Sequence, residues 1–523
     1  MQELLIIYFN SIFLVMRKIF LWMMTTLALV IMLTSCSKSD DYVSAIPSDA
    51  VFVAKLNVAS LAQKSAVMST PDIKDQIEAA IEKTPENLRA KVQEIKDNPD
   101  NSGIDFSKPI YFAVTSVSRS RAMVVAAVKD RKKVEELFKT FGEDPSANME
   151  VVKRGAFSEV ETGEDFCKLA FGDNSVVLSF NFDGKSAEDA VSLLSQESSE
   201  SILSNNKFDQ LLGEGSDFAA FYDYGSLMKS VNTLTGNRSK ADIFEGAIGN
   251  LSVNFENGEI VVKSKLDSDN EQYKQILGCV KPAKGAFLSS IPADSYVAMQ
   301  VGISDLTPMS AFIKDQMPKS QYDEANNALS QSFGMDMEAI ERCIGGDMAM
   351  FVAPQMGAEN PTFGVGIQLK DDQLWKKIQE LLDPMAEQSP KIEKSATGYV
   401  LNLAAALGCD YALSFDDGKL SFLPNAAPSQ SFKSNPYAKT LDDGGFVIDI
   451  QGILANPSVK AFAQRDREVA ALLSFCSSFK AITAQYQDPT KVQQARIIMA
   501  NDKNALASLV DAGIDAYMSL QRN

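Results

Sequence analysis

Beyond residue 38, three serine–lysine pairs have the S-x-x-K spacing that could activate a serine nucleophile in a chain without histidine. They are Ser204/Lys207, Ser226/Lys229 and Ser477/Lys480. Side chains three residues apart share one face of a helix, so the amine could take the hydroxyl proton. The K-T-G motif that accompanies such a pair in penicillin-binding enzymes is absent. In a serine-rich chain such pairs arise by chance. Ser226/Lys229, at a predicted strand-to-helix junction, is the best placed of them.

Acidic side chains offer a second chemistry, because two carboxylates can hydrolyse a glycoside without histidine. The chain contains 68 Asp and Glu residues, so the sequence selects no pair. Asp223, at the end of a predicted strand, is one candidate among many. The absence of histidine excludes Ser-His-Asp and Cys-His catalysis and zinc sites of the H-E-x-x-H type. The sequence therefore predicts no catalytic residues and a protein that is not an enzyme.

Metal and cofactor motifs are equally sparse. The stretch 97–105 (DNPDNSGID) is rich in oxygen ligands and contains a turn glycine, but it lacks the spacing of a calcium loop. An Asx-rich turn at the end of a helix explains it as well. No phosphate-binding P-loop or G-x-G-x-x-G occurs, and Gly213-Glu214-Gly215 would repel a phosphate. The prediction is that the protein uses no cofactor and no metal.

Six cysteines occur, and no two have the C-x-x-C spacing of zinc ribbons or thioredoxin-like motifs. They are Cys36, Cys167, Cys279, Cys343, Cys409 and Cys476. At this density a disulfide framework is not expected, and the five after Cys36 are predicted to be isolated thiols.

Cys36 is different, because it ends a secretory signal. Arg17-Lys18 precede an apolar run, 19–32, and small residues lie directly before the cysteine in Leu33-Thr34-Ser35-Cys36. This resembles the lipobox of bacterial lipoproteins, in which the cysteine is lipidated and becomes the first residue of the mature chain. The apolar run is shorter than the roughly 20 residues of a membrane span, the alternative interpretation. The translation start is Met1 or Met16.

The charge of the chain restricts its partners. The formal net charge is −18, which repels phosphate backbones, so nucleic acid is not expected to bind. The expected partners are the membrane, through the N-terminal lipid, and an unidentified protein or polymer. The expected location is the outer membrane, with the body facing the periplasm or exposed on the cell surface.

The sequence contains an internal repeat. Ile46-Pro47-Ser48-Asp49 opens a strand-like run, and Ile291-Pro292-Ala293-Asp294 opens another 245 residues later. Further matching pairs follow in the same order: Gly103-Ile104-Asp105 with Gly334-Met335-Asp336, 124–130 with 365–371, and the hairpin at 169–178 with the hairpin at 413–422. Asp130 and Asp371 stand where a helix N-cap belongs.

This organisation predicts an α+β fold of two tandem related modules, each a mainly antiparallel sheet with helices packed on one face. The predicted segments are a signal peptide over 1–35, a polar tether over 36–44, and modules over 45–283 and 284–523. The halves differ by an extra helix near 84–96 and a helix at 186–195 in the first, and by a helical insertion over 452–475 in the second.

With these motifs the chain resembles a family of internally duplicated lipoproteins from Bacteroidetes-type bacteria, classed as a domain of unknown function. The resemblance covers the mature chain and implies a fold and a location, but no catalytic residues. The leading hypothesis is a membrane-tethered protein that binds or scaffolds a partner in the cell envelope. The alternatives are an envelope hydrolase using carboxylates or a Ser/Lys pair, and a purely structural envelope component.

Overall fold

The computed structural model describes residues 41–66, 71–116, 121–144, 149–182, 184–204, 208, 211, 215–235, 241–355, 360–464, 466–486 and 492–521. The chain divides into two compact units. The first contains the described residues up to 235 together with 250–255 and 504–510, and the second contains 241–249, 256–503 and 511–521. The predicted modules are sequence repeats and these units are compact bodies, so the predicted boundary at 283/284 stays a prediction.

The first unit is built on an antiparallel sheet. Its strands are β1 (Phe52–Leu56), β2 (Ile110–Ser116), β3 (Arg121–Ala127), β4 (Glu150–Arg154), β5 (Phe157–Glu161), β6 (Cys167–Phe171), β7 (Ser175–Asn181) and β8 (Phe218–Asp223). They pair in the order β8-β1-β2-β3-β7-β6-β5-β4, and every pairing is antiparallel. The strand β9 (Ile248–Phe255) follows in the chain.

The second unit has a longer antiparallel sheet. Its strands are β10 (Glu259–Asp267), β11 (Val280–Lys281), β12 (Val297–Ile303), β13 (Ile344–Ala353), β14 (Thr362–Leu369), β15 (Ile392–Lys394), β16 (Gly398–Leu401), β17 (Tyr411–Asp416), β18 (Lys419–Pro424), β19 (Gly445–Asp449), β20 (Phe479–Gln485) and β21 (Gln493–Met499). The pairing order is β10-β21-β20-β19-β12-β13-β14-β18-β17-β16-β15, with β11 also on β12.

Helices connect these strands. Those of the first unit are α1 (Val58–Ser65), α2 (Pro71–Glu82), α3 (Glu86–Asp97), α4 (Arg131–Gly142), α5 (Ala190–Ser195) and α6 (Tyr224–Thr235). Those that follow are α7 (Glu271–Leu277), α8 (Thr307–Gln316), α9 (Lys319–Phe333), α10 (Met337–Cys343), α11 (Gln373–Gln388), α12 (Ala404–Leu407), α13 (Ala438–Asp442), α14 (Ile450–Ala455), α15 (Pro457–Ala463), α16 (Arg467–Cys476) and α17 (Ala505–Gln521). The predicted extra helix is α3, and the predicted insertion is α14–α16.

The repeated Ile-Pro-x-Asp motif makes the same contacts in each unit. The Ile46 carbonyl accepts from the amide of Ile202 at 2.8 Å, and the Ile291 carbonyl accepts from the amide of Phe432 at 2.7 Å. All four side chains are buried. An isolated bridge then joins Pro47 to Ser201 and Pro292 to Ser431. The motif therefore anchors the start of β1 and of β12 in the same way.

Each sheet has a core face and a face with fewer buried side chains. Successive side chains of a strand point to opposite faces. In the first unit Tyr111, Met123 and Val125 point to the core face, where the ring centroid of Tyr42 lies 5.9 Å from that of Tyr111. In the second unit Ala298 and Phe351 do so, in a cluster with Phe287, Ile291, Phe432 and Leu441.

Helices cover one end of the other face in each unit. In the first unit Val134 and Phe138 of α4 pack on Phe171 and Val176. In the second unit Leu374 of α11 and Ile340 of α10 pack with Ile367, Phe415 and Leu420. The α+β fold with mainly antiparallel sheets is confirmed. The Asp130 carboxylate caps α4 as predicted, accepting from the amides of Lys132 and Lys133. The Asp371 carboxylate accepts from the amide of Gln373 at 3.0 Å, although Asp372 occupies the N-cap position.

Candidate functional site

The predicted lipidation residue, Cys36, lies outside the described residues, as does the lipobox that precedes it. The described chain begins at Asp41, in a short 3-10 helix, Asp41–Ala45, whose Tyr42 hydroxyl donates to the Pro109 carbonyl at 2.9 Å. Four residues, 37–40, therefore lie between the predicted lipidated cysteine and Asp41. The five Cα-to-Cα steps from Cys36 to Asp41 span at most about 17 Å when fully extended. Within the described ranges, no helix has the length and apolar character needed to cross a membrane.

In the best placed serine–lysine pair, Ser226/Lys229, the serine forms hydrogen bonds at the start of α6. The Ser226 amide and hydroxyl both donate to the Asp223 carboxylate, each at 2.9 Å. Asp449 holds the matching place after β19 and accepts from the amide of Gly452 at 2.9 Å. Because the same carboxylate starts a helix in both units, the geometry gives Asp223 a structural role in capping.

The other two pairs also use their serines locally. The Ser204 hydroxyl donates to the Ser201 carbonyl at 2.7 Å, and Lys207 lies outside the described residues. The Ser477 hydroxyl donates to the Ser474 carbonyl at 2.6 Å. Each hydroxyl thus satisfies a backbone carbonyl near the end of a helical turn.

A serine, a lysine and an aspartate that sequence reasoning missed do come together. The Asp217 carboxylate is almost fully buried and accepts from the Ser60 hydroxyl at 2.5 Å, the Lys64 ammonium at 2.7 Å and the Phe255 amide at 2.7 Å. Ser60 and Lys64 are four residues apart on α1, so they share a face. The Lys64 ammonium is engaged as an ion-pair donor, and the arrangement ties α1 to the start of β8.

The oxygen-rich stretch 97–105 is occupied by lysines. Lys129 donates to the Asp100 carboxylate at 2.6 Å, and Lys133 donates to the Asn101 side chain at 3.0 Å. Asp105 accepts from the Ser107 amide and hydroxyl. Two ammonium groups therefore take the place a calcium ion would need. Among the residues that the structure describes, no group of three or more acidic or cysteine side chains could hold a metal.

The five cysteines after Cys36 are free thiols. Burial raises the pKa of the Cys167, Cys279 and Cys343 thiols above the ordinary value. A raised pKa keeps a thiol protonated and unreactive at neutral pH. These residues act as small apolar side chains.

The second unit carries an apolar row that is a better candidate for function. Six side chains, one from each of six adjacent strands, are directly opposite their neighbours in register and lie on the face away from the core. In the order β19, β12, β13, β14, β18 and β17 they are Phe446, Met299, Met350, Val365, Phe422 and Leu413. None is buried, and Met350 and Val365 are 39% and 37% exposed. Neighbouring strands are about 4.8 Å apart, so the row is about 24 Å long.

The sequence of β14 explains why bulk is directed outwards. Phe363, Val365 and Ile367 point away from the core, and Gly364 and Gly366 point into it. A Cβ atom at Gly364 would lie 2.3 Å from the Phe351 ring, and one at Gly366 would lie 2.5 Å from the Phe287 ring. The glycines make room for these two core rings, so the large apolar side chains of β14 all lie on the other face.

The row has one closed end. Leu413 is opposite Tyr399 of β16, which is buried under Trp375 of α11, with ring centroids 5.9 Å apart. The Tyr399 hydroxyl donates to the Asp383 carboxylate at 2.8 Å. Burial and this hydrogen bond raise the pKa of Tyr399 to about 12, so the ring stays neutral. The Trp375–Tyr399 pair therefore forms an uncharged wall at this end.

A cavity of about 240 Å³ lies between α2 and α3 and is lined by Lys74, Ile77, Glu78 and Lys96. Lys74 and Glu78 are exposed, and Lys96 is 3.4 Å from the Glu78 carboxylate. Two of its ionic groups, Lys96 and Glu78, pair with each other, so the cavity is a weaker candidate than the row.

Comparison with known proteins gives a family. The sequence model of a domain of unknown function, DUF4836, matches residues 42–506. The chain belongs to the DUF4836 family. This agrees with the predicted resemblance to a domain of unknown function. The match spans both units.

Solved structures give weaker likenesses. Two crystal forms of TP0453, I and IV, each match with a TM-score of 0.27, at 12% and 13% identity respectively. They cover 45% and 44% of this chain and 81% and 82% of theirs. No curated protein matches the sequence.

Proposed function

We propose that this DUF4836 protein is a membrane-tethered lipoprotein of the cell envelope that binds or scaffolds a partner and catalyses no reaction. The observation that carries the proposal is the apolar row of the second unit. Contiguous large apolar side chains on a protein surface mark sites of interaction. The row contains Met350 and Val365, which are directly opposite each other and more than a third exposed.

The tethering rests on Leu33-Thr34-Ser35-Cys36 at the end of the apolar run. In this proposal Cys36 carries the lipid, residues 1–35 are removed, and the body is held at the outer membrane of a Bacteroidetes-type bacterium. The body faces the periplasm or the outside. The short tether supports a body held close to the membrane, since only four residues lie between Cys36 and Asp41 and the two Cα atoms are at most about 17 Å apart.

We further infer that the two units descend from one duplicated module. Eight strands of each unit pair in the same order, with β8-β1-β2-β3-β7-β6-β5-β4 matching β19-β12-β13-β14-β18-β17-β16-β15. The equivalent anchoring of the two Ile-Pro-x-Asp motifs supports the same inference.

The non-catalytic role is supported by the contacts of the catalytic candidates. Asp223 and Ser226 form hydrogen bonds at the start of α6. The Asp217 carboxylate accepts hydrogen bonds from Ser60 and Lys64 of α1. The competing hydrolase hypothesis needs one of these groups to act on a substrate. Purified protein that hydrolysed an envelope polymer, and lost that activity in a folded Ser60→Ala or Asp223→Asn variant, would establish the competing hypothesis.

The tether is tested by labelling growing cells with an alkyne fatty acid and following the membrane fraction. The wild type should carry the label and be extracted only with detergent, and a Cys36→Ala variant should carry none. Protease treatment of intact cells then separates the two faces: a surface protein is cut, and a periplasmic protein is cut only after the outer membrane is opened. A labelled Cys36→Ala variant would rule out lipidation at this residue.

The binding role is tested in cells by placing a photo-cross-linking amino acid at Met350. Illumination should join an envelope component to position 350. The control position is Lys376, which is exposed on α11 outside the row. Adducts of equal yield at both positions would argue against a binding site at the row.

A further inference from the structure

The chemistry of the apolar row identifies its ligand. Resting on the proposed function, we infer that the row of the second unit binds an acyl chain of a lipid.

The row offers a ligand no polar group. Its members are Phe446, Met299, Met350, Val365, Phe422 and Leu413, and none carries a charge or a hydrogen-bonding group. An extended peptide laid over it would take backbone amides out of water and leave them without partners, which is costly. A hydrocarbon chain has no such groups to satisfy.

The backbone of these strands is also unavailable. Each of the strands β12, β13, β14, β18 and β19 is paired on both sides in the sheet. A partner strand therefore cannot add to the sheet at the row, because strand addition needs a free edge. Only the side-chain surface remains, and it recognises apolar bulk.

The size and softness of the row suit a flexible chain. The row is about 24 Å long, and each leaflet of a bilayer is about 15 Å of hydrocarbon thick. Met299 and Met350 are directly opposite each other at its centre. Unbranched methionine side chains adapt to the shape of a flexible ligand. The Trp375–Tyr399 wall ends the row beside β17.

The tether favours a lipid acyl chain over an apolar protein segment as the ligand of the row. With a lipid on Cys36 and a reach of about 17 Å to Asp41, the body is always beside a membrane. Acyl chains are then the apolar groups at the highest local concentration. A ligand of this class needs no orienting charge, which matches the composition of the row.

Palmitic acid, radiolabelled and presented by equilibrium dialysis, is the probe. The protein begins at Ser37, so it lacks the lipidated cysteine and retains every residue that the structure describes. The wild type should bind palmitate saturably. Met350→Glu and Val365→Glu place a charge on exposed positions and should weaken binding by about tenfold or more, because a carboxylate in contact with hydrocarbon loses hydration.

The matched control is Phe462→Glu, which adds the same charge at a side chain that is 60% exposed on α15 and outside the row. It should leave palmitate affinity within about twofold. Far-UV circular dichroism and the melting temperature of each variant show whether it is folded. Absence of saturable binding to the wild type, or equal affinity in all three variants, would overturn the inference.

The adducts formed at position 350 in cells separate this inference from the proposed function. A lipid adduct, identified by its mass, supports both. A protein adduct with no palmitate binding overturns the acyl-chain inference and leaves the binding function standing. No adduct and no palmitate binding overturn both.

Discussion

Equivalent strand positions in the sheets of the two units differ in how far their side chains are exposed. The row of the first unit that matches the apolar row of the second is, from β8 to β6, Ala220, Ala54, Phe112, Val124, Leu178 and Leu169. Both rows are apolar throughout. In the first unit, however, Ala220 and Ala54 are buried, and no member is classed as exposed. Phe446 and Met299 occupy their places in the second.

The strands β3 and β14 show where this difference arises. Met123 and Val125 of β3 fill the core face and are completely buried, and Ala122 and Ala126 lie on the other face. In β14 the equivalent core-facing positions are Gly364 and Gly366. The bulk of the strand has moved from one face to the other, and core rings from elsewhere fill the space. A sheet can therefore gain a large apolar surface without changing its topology.

The largest expected effect comes from removing core bulk in the first unit. Val125→Gly gives β3 the residue that β14 has at this position and removes a completely buried side chain from the core face. We expect a loss of about 3 kcal/mol in the free energy of unfolding, because a cavity forms and a strand glycine is added. Urea unfolding, with hydrogen exchange of β3 peptides, measures it. A loss below about 1 kcal/mol would show that the first unit tolerates the pattern of the second.

The reciprocal change tests the second unit. Gly366→Val brings a side chain against the Phe287 ring, and overpacking of this kind costs about 2 kcal/mol. The ring can move only by disturbing the core cluster that contains Phe351 and Leu441. Val365→Ala, on the exposed face of the same strand, is the control and should cost less than about 1 kcal/mol. Equal losses from the two variants would mean that the two faces are not distinct.

A second pair of positions sharpens the comparison at the start of β8 and β19. Asp217 and Asp443 hold equivalent places, but Asp217 accepts from Ser60, Lys64 and the Phe255 amide, whereas Asp443 accepts from the Gln485 side chain at 2.6 Å. Asp217→Ala should cost about 2 kcal/mol, since it leaves three part-buried donors without their acceptor, and Asp443→Ala about 1 kcal/mol. Urea unfolding of both variants measures the difference.

The conservative variant separates charge from hydrogen bonding. Asp217→Asn keeps the side-chain shape and one acceptor oxygen but loses the ion pair with Lys64, which is partly exposed. It should be less destabilising than Asp217→Ala. If Asp443→Ala were the more damaging alanine variant, the extra contacts of the first unit would contribute nothing to its stability.

The fold class could be predicted from the sequence because the patterns that indicate strands, turns and helix starts are local. Alternating strands, the hairpin turn at Asp417-Gly418 and the N-cap at Asp130 each act over a few residues. The repeat doubled these signals, so β12 could be located from β1. The order in which strands pair depends on contacts more than a hundred residues apart, such as β1 with β8. No local pattern encodes those contacts.

The candidate site was missed for a related reason. The alternation Phe363-Gly364-Val365-Gly366-Ile367 was present as a signal. A glycine inside a strand usually indicates a weak strand or a bulge. Its meaning here depends on the rings of Phe287 and Phe351, which come from other elements. Ser60, Lys64 and Asp217 were missed because 153 residues separate the lysine from the aspartate.

The smallest expected effect concerns pH and the starts of the helices that follow β1 and β12. Asn57 caps α1 by accepting from the Ser60 amide at 3.2 Å, and Asp305 accepts from the Thr307 amide at 3.1 Å and hydroxyl at 2.8 Å. Those two hydrogen bonds lower the pKa of Asp305 below its ordinary value. A lowered folded-state pKa means that the stabilisation is present above the unfolded pKa and is lost as the pH falls through the folded one.

Asp305→Asn should therefore cost about 0.5 kcal/mol at pH 7, because the group is exposed, and nothing once the pH lies below the folded pKa of Asp305. Urea unfolding of wild type and variant between pH 7 and pH 2 measures the difference. Asn57→Asp is the matched change in the first unit, and it should introduce the same acid-dependent loss there. Because an amide does not titrate, the wild-type first unit lacks this loss. A difference between Asp305→Asn and the wild type that did not change with pH would show that the carboxylate charge does not strengthen the hydrogen bonds from Thr307.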